Sequence, residues 1–250
     1  MKFELKNKVA LVTGSSDGLG LKIALKLSDE GCIVVLNGRN KEKLNKSTLL
    51  FKKKVLAVNA DVTKLKECKN LVDHIEKNLG RLDILVCNVG SGKSDSNHNN
   101  LEEWHRMIDL NLMSTVNVIS AADCLLERSS GNIVCISSIC GQEVMHAPLN
   151  YSASKAALNA YVKGVSRKLA SKKIRINAIA PGNLMFKGSS WEKKMIENPN
   201  LVKKILENEV ALGRFGTPEE IANWVVFLAS SLSSFATGQI YTVDGGQVRS

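Results

Sequence analysis

The stretch VALVTGSSDGLG, residues 9–20, decides the fold. Its first five residues are apolar or β-branched, which predicts a buried strand. The glycine-rich run that follows, residues 14–20, opens into helical periodicity from Leu19 to Glu30. Glycines at such a junction permit a tight turn and a close backbone approach to a pyrophosphate, which the free N–H groups of the helix N-terminus attract. The stretch therefore predicts the strand, loop and helix of a dinucleotide-binding unit.

Short apolar runs and longer helical patterns continue to alternate beyond this unit. Strands are predicted at Val9–Thr13, Ile33–Asn37, Val55–Ala60, Asp83–Cys87, Asn132–Ser137, Ile174–Ile179 and Ile240–Asp244. Helices are predicted at Leu19–Glu30, Lys41–Leu50, Lys64–Leu79, Leu101–Glu127, Tyr151–Ala170 and Pro218–Ser230. The near-continuous hydrophobicity of the strands is typical of burial on both faces. This pattern predicts an α/β, doubly wound Rossmann-type fold with a seven-stranded parallel sheet and helices on both faces. Because no Pro- or Ser-rich linker divides the chain, we expect one domain over residues 1–250.

Two loops interrupt the alternation. Residues 90–100, GSGKSDSNHNN, are polar and follow the fourth strand, whereas residues 182–210 follow the sixth. In an open α/β sheet, ligands bind beyond the carboxyl ends of the strands. Both loops are therefore predicted to wall a ligand site, and the second is long enough to form a substrate lid at about residues 183–212.

The composition excludes several classes of protein. The 250 residues include 34 Lys and Arg against 24 Asp and Glu, which gives a net charge of +10. The basic residues are dispersed and only 5% of residues are aromatic, so nucleic-acid binding is not predicted. No apolar run is long enough to span a bilayer and no signal peptide precedes the first strand, which predicts a cytoplasmic protein without a membrane partner. Six scattered Cys and four His without ligand spacing predict reduced thiols and no metal site.

A second motif, YSASK at residues 151–155, pairs a phenol with an ammonium group. Tyr151 and Lys155 are four residues apart in a predicted helix, so they share a face. Positive charge beside a phenol favours phenolate, and we expect the Tyr151 pKa to fall from about 10 towards neutral pH. Such a group exchanges protons with a carbonyl/alcohol pair. Ser138, at the carboxyl end of the fifth strand, can hold the reacting oxygen, whereas Ser137 is expected to point to the other face.

These motifs resemble those of the short-chain dehydrogenase/reductase family, in its compact branch. The glycine spacing is GxxxGxG, and the sequences that follow in the family's order are Asp61-Val62, Cys87-Asn88-Val89-Gly90, Asn111, Ser138, the YxxxK motif, Pro181-Gly182 and Val243-Asp244-Gly245-Gly246. The resemblance covers nearly the full chain. It implies an oxidoreductase that transfers hydride between a nicotinamide cofactor and a carbonyl/alcohol substrate.

The resemblance also implies a role for each catalytic residue. Tyr151 is the acid/base, Ser138 polarises the substrate, and Lys155 additionally binds the nicotinamide ribose. Asn111 holds a water in a proton relay from Lys155 to solvent, and the alternative is a helix-interior Asn that bonds local backbone. The residues expected to contact the cofactor are Gly14, Ser16, Asp17, Gly18, Leu19, Gly20, Arg39, Asp61, Val62, Asn88, Gly90, Pro181, Gly182 and Leu184, together with Tyr151 and Lys155. Around Leu184, backbone groups replace a Thr that the family commonly has after Pro-Gly.

The end of the second strand predicts which nicotinamide cofactor is used. Enzymes that use NAD place an acidic residue there for the ribose 2′-hydroxyl, whereas a nearby Arg accommodates a 2′-phosphate. Here Gly38 occupies the expected acidic position and Arg39 follows it. We therefore predict NADP(H), with NAD(H) as the alternative and a solvated surface role as the alternative for Arg39. Many NADP-using members also carry a basic residue in the glycine loop, where this chain has Ser16 and Asp17.

The resemblance is closest to bacterial 3-oxoacyl-[acyl-carrier-protein] reductases, which implies a 3-oxoacyl thioester substrate. A sugar, polyol or other ketone reductase and a cofactor-binding regulator without catalysis are the alternatives. An acidic acyl-carrier protein is a candidate partner for Arg128, Lys172 and Lys173, which are otherwise a solvated face.

Two further expectations concern the lid and the assembly. Apolar residues of the lid either line the substrate pocket or anchor the lid to the core, and they are Leu184, Met185, Phe186 and Trp191. The resemblance implies a homotetramer that packs the helices beginning near Leu101 and Tyr151 against their mates.

Overall fold

A computed structural model describes residues 3–94, 97 and 99–249. The strands are β1 (Val9–Val12), β2 (Ile33–Gly38), β3 (Leu56–Asn59), β4 (Ile84–Cys87), β5 (Asn132–Ile136), β6 (Arg175–Pro181) and β7 (Ile240–Val243). The helices are α1 (Gly18–Asp29), α2 (Lys41–Thr48), α3 (Leu65–Leu79), α4 (Leu101–Ile108), α5 (Ser114–Ser129), α6 (Leu149–Ala170), α7 (Ser190–Glu197), α8 (Pro199–Glu209) and α9 (Pro218–Ala229). This alternation confirms the predicted fold class.

All seven strands are parallel, in the order β3-β2-β1-β4-β5-β6-β7. The chain starts at β1, builds outward to β3, and then crosses back to β4 on the other side of β1. Val12 consequently lies between Leu36 of β2 and Val86 of β4. The connections that leave β1 and β4 diverge at this reversal, and the divergence leaves a crevice at the carboxyl edge of the sheet, where ligands bind in such folds.

Two apolar cores sandwich the sheet. On one face, α1 and α9 pack through residues such as Ile23 and Val225, and on the other face α3, α5 and α6 pack through residues such as Leu71 and Leu158. These side chains are at most 1% exposed, and complete burial of each contributes about 1.5–3 kcal/mol. Because both faces are covered, the strand ends supply the exposed polar edge on which a site can form.

Helix caps fix the loops around the site. Asp17 caps α1 by accepting a hydrogen bond from the Gly18 N–H, and Asn40 caps α2 by accepting one from the Lys43 N–H. At α9, Thr217 and Glu220 form a reciprocal capping box, and an ion pair with Arg214 lowers the pKa of the Glu220 carboxyl to about 2. Each such cap is typically worth about 1 kcal/mol.

The predicted helix Leu101–Glu127 is not continuous. A π-helical turn, Asp109–Met113, separates α4 from α5 and carries Asn111. Hydrophobic periodicity does not reveal this turn, because it is only five residues long and helical periodicity resumes after it.

The predicted lid region, residues 183–212, contains α7 and α8 and is mostly exposed. An isolated parallel β-bridge joins Leu184, near the start of this region, to Gly216, just before α9. Among the residues described, no helix is long and apolar enough to cross a membrane. Single-domain organisation and lid function stay predictions.

Candidate active site

The glycine loop depends on glycine at three positions. Gly14 and Gly18 have φ values of +62° and +55°, in the left-handed region that side chains disfavour. At Gly20, a Cβ would lie 2.4 Å from both the Gly14 carbonyl oxygen and the Asn88 side-chain nitrogen. The loop is thus compact enough for its backbone to approach a ligand, as the motif predicts.

Two asparagine amides hold this loop against the neighbouring strand ends. Asn88 donates from Nδ2 to the carbonyl oxygens of Thr13 and Gly14, at 3.0 and 3.2 Å. Asn37 accepts from the Gly14 N–H at 3.4 Å and donates to the Ala60 carbonyl at 3.1 Å. Asn37 is not among the site residues predicted from the sequence, although a polar Asn at the end of the apolar run of β2, buried in the structure, is a usable signal.

A cleft of about 490 Å³ opens beyond the ends of β1, β2, β3 and β4. Seven of the predicted cofactor contacts line it, namely Gly14, Ser16, Arg39, Asp61, Val62, Asn88 and Gly90. It is also lined by residues that the sequence analysis did not assign to the cofactor, namely Asn37, Gly38, Asn40, Ala60, Val89, Ser91 and Leu110. Leu184 instead lines a second cavity of about 290 Å³, on the α9 side of the β6 end. Pro181 ends β6 and Gly182 follows it, just before Leu184. Gly182 packs closely against Asp244.

The side chains of Lys155 and Asn111 both lie close to Gly90. A Cβ on Gly90 would lie 2.8 Å from Asn111 Oδ1 and 3.0 Å from Lys155 Nζ. Asn111 accepts from the Ser91 N–H at 2.9 Å and donates to the carbonyl oxygens of Ser91 and Met107. The hydrogen bond to local helix backbone that is the alternative role of Asn111 is thus present. The same amide also bonds Ser91 and so holds the loop that follows β4.

Lys155 is 3% exposed and donates from Nζ to the Ile136 carbonyl oxygen at 2.9 Å. Loss of hydration disfavours the charged form, so burial lowers the pKa of the Lys155 ammonium to about 8. The group still carries a proton at neutral pH, next to the cleft that Gly90 lines.

Tyr151 corrects one expectation. Burial raises the pKa of the Tyr151 phenol to about 12, against a smaller lowering by the Ser138 hydroxyl. The predicted fall of the Tyr151 pKa towards neutral pH is wrong, because desolvation of the phenol is the largest effect and the Lys155 ammonium donates its hydrogen bond to Ile136. The effect of the Ser138 hydroxyl on this pKa places the two side chains near each other. Ser137 points elsewhere as expected, with its hydroxyl on Asn159 Oδ1 at 2.6 Å.

The end of β2 leaves little room for a side chain at Gly38. A Cβ there would meet Ser16 Oγ at 3.0 Å and Ser16 Cβ at 3.2 Å. Arg39 is 66% exposed, and its Nη1 lies 3.8 Å from the Asp61 carboxylate across the cleft. The Arg39 guanidinium is therefore the charged group of β2's end that can reach a ligand here.

Two apolar residues of the predicted lid make different contacts. Trp191 packs at a tilt against the buried Phe215 with 4.7 Å between ring centroids, which favours the anchoring alternative for this residue. Phe186 packs over Gly18, where a Cβ would lie 3.3 Å from its ring, so it faces the glycine loop.

The remaining candidate groups are also placed. Arg128 pairs with Glu76, and Lys172 pairs with Asp123 and Glu127, so two of the three candidate carrier-docking cations are already neutralised. All six cysteines carry free thiols, as expected. The described residues contain no cluster of potential metal ligands, and His98 lies outside them.

Several known proteins resemble this chain over nearly its whole length. The family model described as Enoyl-(Acyl carrier protein) reductase matches residues 14–247. The 3-oxoacyl-[acyl-carrier-protein] reductase FabG of Thermotoga maritima is 34% identical over 250 residues, which cover 98% of this chain and 99% of the relative. The FabG protein of Chlamydia muridarum is 39% identical over 252 residues, 97% of this chain and 98% of the relative. The solved structure of L-sorbose reductase from Gluconobacter frateurii, complexed with NADPH and L-sorbose, has a TM-score of 0.93 at 29% identity over 100% of both chains.

Fold and relatives together define an oxidoreductase. The chain belongs to the short-chain dehydrogenase/reductase family.

Proposed function

We propose that this protein is an NADPH-dependent reductase of 3-oxoacyl thioesters. The observation that carries the proposal is the grouping of Ser138, Tyr151, Lys155 and Asn111 beside the cleft that follows the glycine loop. The identity to 3-oxoacyl-[acyl-carrier-protein] reductases over nearly the whole chain supports the substrate class.

The residues of the cleft fit a dinucleotide. The glycine loop is a depression that a Cβ at Gly14, Gly18 or Gly20 would fill or strain, and it opens onto the N-terminus of α1. Loop N–H groups there would hold the diphosphate, Asp61 and Val62 of the cleft would contact the adenine, and Lys155, against Gly90, would bind the nicotinamide ribose. When bound, the nicotinamide supplies the hydride.

The chain's own groups then handle the substrate oxygen. The Ser138 hydroxyl donates a hydrogen bond to the carbonyl oxygen and fixes it beside Tyr151. The Tyr151 phenol, protonated at neutral pH, donates its proton to that oxygen as negative charge develops on it. The Lys155 ammonium stabilises the phenolate that remains, and the buried Asn111 next to it offers the start of a path for a proton from solvent.

Arg39→Ala is expected to raise the KM for NADPH about tenfold or more, since a charge-assisted contact to phosphate is lost. The KM for NADH should stay unchanged, because NADH has no 2′-phosphate. Steady-state kinetics with both cofactors checks this. An unchanged KM for NADPH would return Arg39 to the role of a solvated surface residue and favour NAD(H).

The substrate class is tested by NADPH oxidation with an acetoacetyl thioester and, in parallel, with L-sorbose. We expect turnover of the thioester, whose kcat/KM should exceed that of the sugar. The sugar reductase is the second candidate because the L-sorbose reductase structure superimposes over the full chain. Turnover of the sugar alone would establish that candidate, whereas NADPH binding without turnover of either would support the regulator. An acyl-carrier protein remains a proposed partner, with Lys173 as an exposed docking cation.

A further inference from the structure

An ion pair joins the glycine loop to α2. The Lys43 ammonium lies against the Asp17 carboxylate, although 26 residues separate them in sequence. Asp17 uses its other oxygen to accept from the Gly18 N–H at 2.7 Å, which begins α1. Lys43 is held from its backbone, because its N–H donates to Asn40 Oδ1 at 2.8 Å. Cap hydrogen bonds thus hold both residues at the helix N-termini, while their charged groups pair at the surface.

This ion pair stands at the rim of the cleft's adenosine end. Ser16, next to Asp17, and Asn40, within one helical turn of Lys43, both line the cleft. Arg39 lines it as well and faces Asp61. The Arg39–Asp61 pair thus lines the cleft, and the Lys43–Asp17 pair lies next to two of its lining residues.

We propose that Lys43 is a specificity-determining residue for the cofactor, the second cation that binds the 2′-phosphate, supplied from α2 in place of a basic residue in the glycine loop. Asp17 is its positioning residue. The inference rests on the proposed use of NADP(H) and adds a residue to it.

Asp17 and Asp61 can both lie near a bound phosphate, because each carboxylate is paired with a cation. Asp17 alone would repel the dianion, but Lys43 neutralises it and lowers the pKa of the Asp17 carboxyl. Lys43 and Asp17 are 53% and 62% exposed, and exposed ion pairs of this kind are weak. A hydrogen bond from an ammonium to a phosphate dianion is stronger, so the Lys43 ammonium gains by turning to the ligand while Asp17 keeps it within reach.

The test measures binding without a reducible substrate. Isothermal calorimetry gives the Kd of 2′,5′-ADP and of 5′-AMP, two probes that differ by the 2′-phosphate. Lys43→Gln removes the charge and keeps most of the side chain. Lys46→Gln is the matched control, because Lys46 lies one turn along α2 and pairs with Glu42 at the exposed surface. Asp17→Asn removes the carboxylate charge but retains an oxygen that caps α1.

We expect Lys43→Gln to weaken 2′,5′-ADP binding about tenfold with 5′-AMP unchanged, and Lys46→Gln to change neither by as much. Asp17→Asn should weaken 2′,5′-ADP binding, by less than Lys43→Gln and with 5′-AMP unchanged, because Lys43 loses the partner that keeps it within reach. Equal weakening of both probes by Lys43→Gln would make the residue merely structural and overturn the proposal, as would no weakening at all. If the wild-type protein does not bind 2′,5′-ADP more tightly than 5′-AMP, the proposed use of NADP(H) is wrong, and so is the role proposed for Lys43. If that preference stands but survives Lys43→Gln, only the Lys43 assignment fails.

Discussion

Tyr151→Phe is expected to lower kcat for ketone reduction by about 10²–10⁴-fold, the range that a positioned general acid contributes. The substitution removes one oxygen atom and leaves the ring in place. Because the phenol pKa of about 12 keeps Tyr151 protonated at neutral pH, it is in the donating form when the carbonyl arrives. Without it, the Ser138 hydroxyl can still polarise the carbonyl, but no group beside it delivers the proton.

Tyr161→Phe is the matched control for this prediction. Tyr161 belongs to the same helix, α6, and packs against the core on the α3–α5 side of the sheet. Single-turnover NADPH oxidation and the Kd for NADPH are measured for both variants. We expect the control to keep wild-type turnover and both variants to keep NADPH affinity. Undiminished turnover in Tyr151→Phe, or an equal loss in Tyr161→Phe, would refute the acid/base assignment.

The parallel sheet and the order of its motifs could be predicted from sequence because the signals are local. An apolar run such as the one that ends in Asn37 predicts a buried strand wherever it occurs, and parallel strands need helical crossovers between them. Their carboxyl ends then meet at one edge. The sequence therefore predicts that the residues after β1, β4, β5 and β6 lie close together at this edge.

The contacts within the site could not be predicted in the same way. The spacing of Tyr151 and Lys155 places both on one helix face, but it does not reveal that the Lys155 ammonium bonds the Ile136 carbonyl of β5. Nor does it give the degree of desolvation, which reverses the expected pKa shift of Tyr151. The ion pair of Asp17 with Lys43 joins two elements whose separation only the folded chain determines.

Gly90 shows how a weak sequence signal becomes a strong structural one. In the sequence it is one member of the Cys87–Gly90 motif, whereas in the structure the Lys155 ammonium and the Asn111 amide both lie close to where a Cβ on Gly90 would be. Its φ lies outside the left-handed region, so the backbone accepts alanine there. What the site excludes is the methyl group itself.

Gly90→Ala is therefore expected to lower kcat by about 10²-fold, the loss that a displacement of about 1 Å in a catalytic group can cause. The new Cβ would meet Asn111 Oδ1 at 2.8 Å and Lys155 Nζ at 3.0 Å. Asn111 is fully buried and bonded to Ser91 on both sides of its amide, so the lysine must yield and loses its alignment. Overpacking of this kind also costs about 1–3 kcal/mol of unfolding free energy.

Steady-state turnover and urea unfolding of Gly90→Ala are compared with Gly164→Ala. Gly164 lies in α6 with open space where a Cβ would be, so the same added methyl should leave turnover unchanged and raise the unfolding free energy by about 0.5–1 kcal/mol. The two variants add the same atom to the same protein, and they differ only in what that atom meets. If Gly90→Ala turned over at the wild-type rate, Lys155 and Asn111 would tolerate displacement, and the closeness of their side chains would have no part in proton transfer.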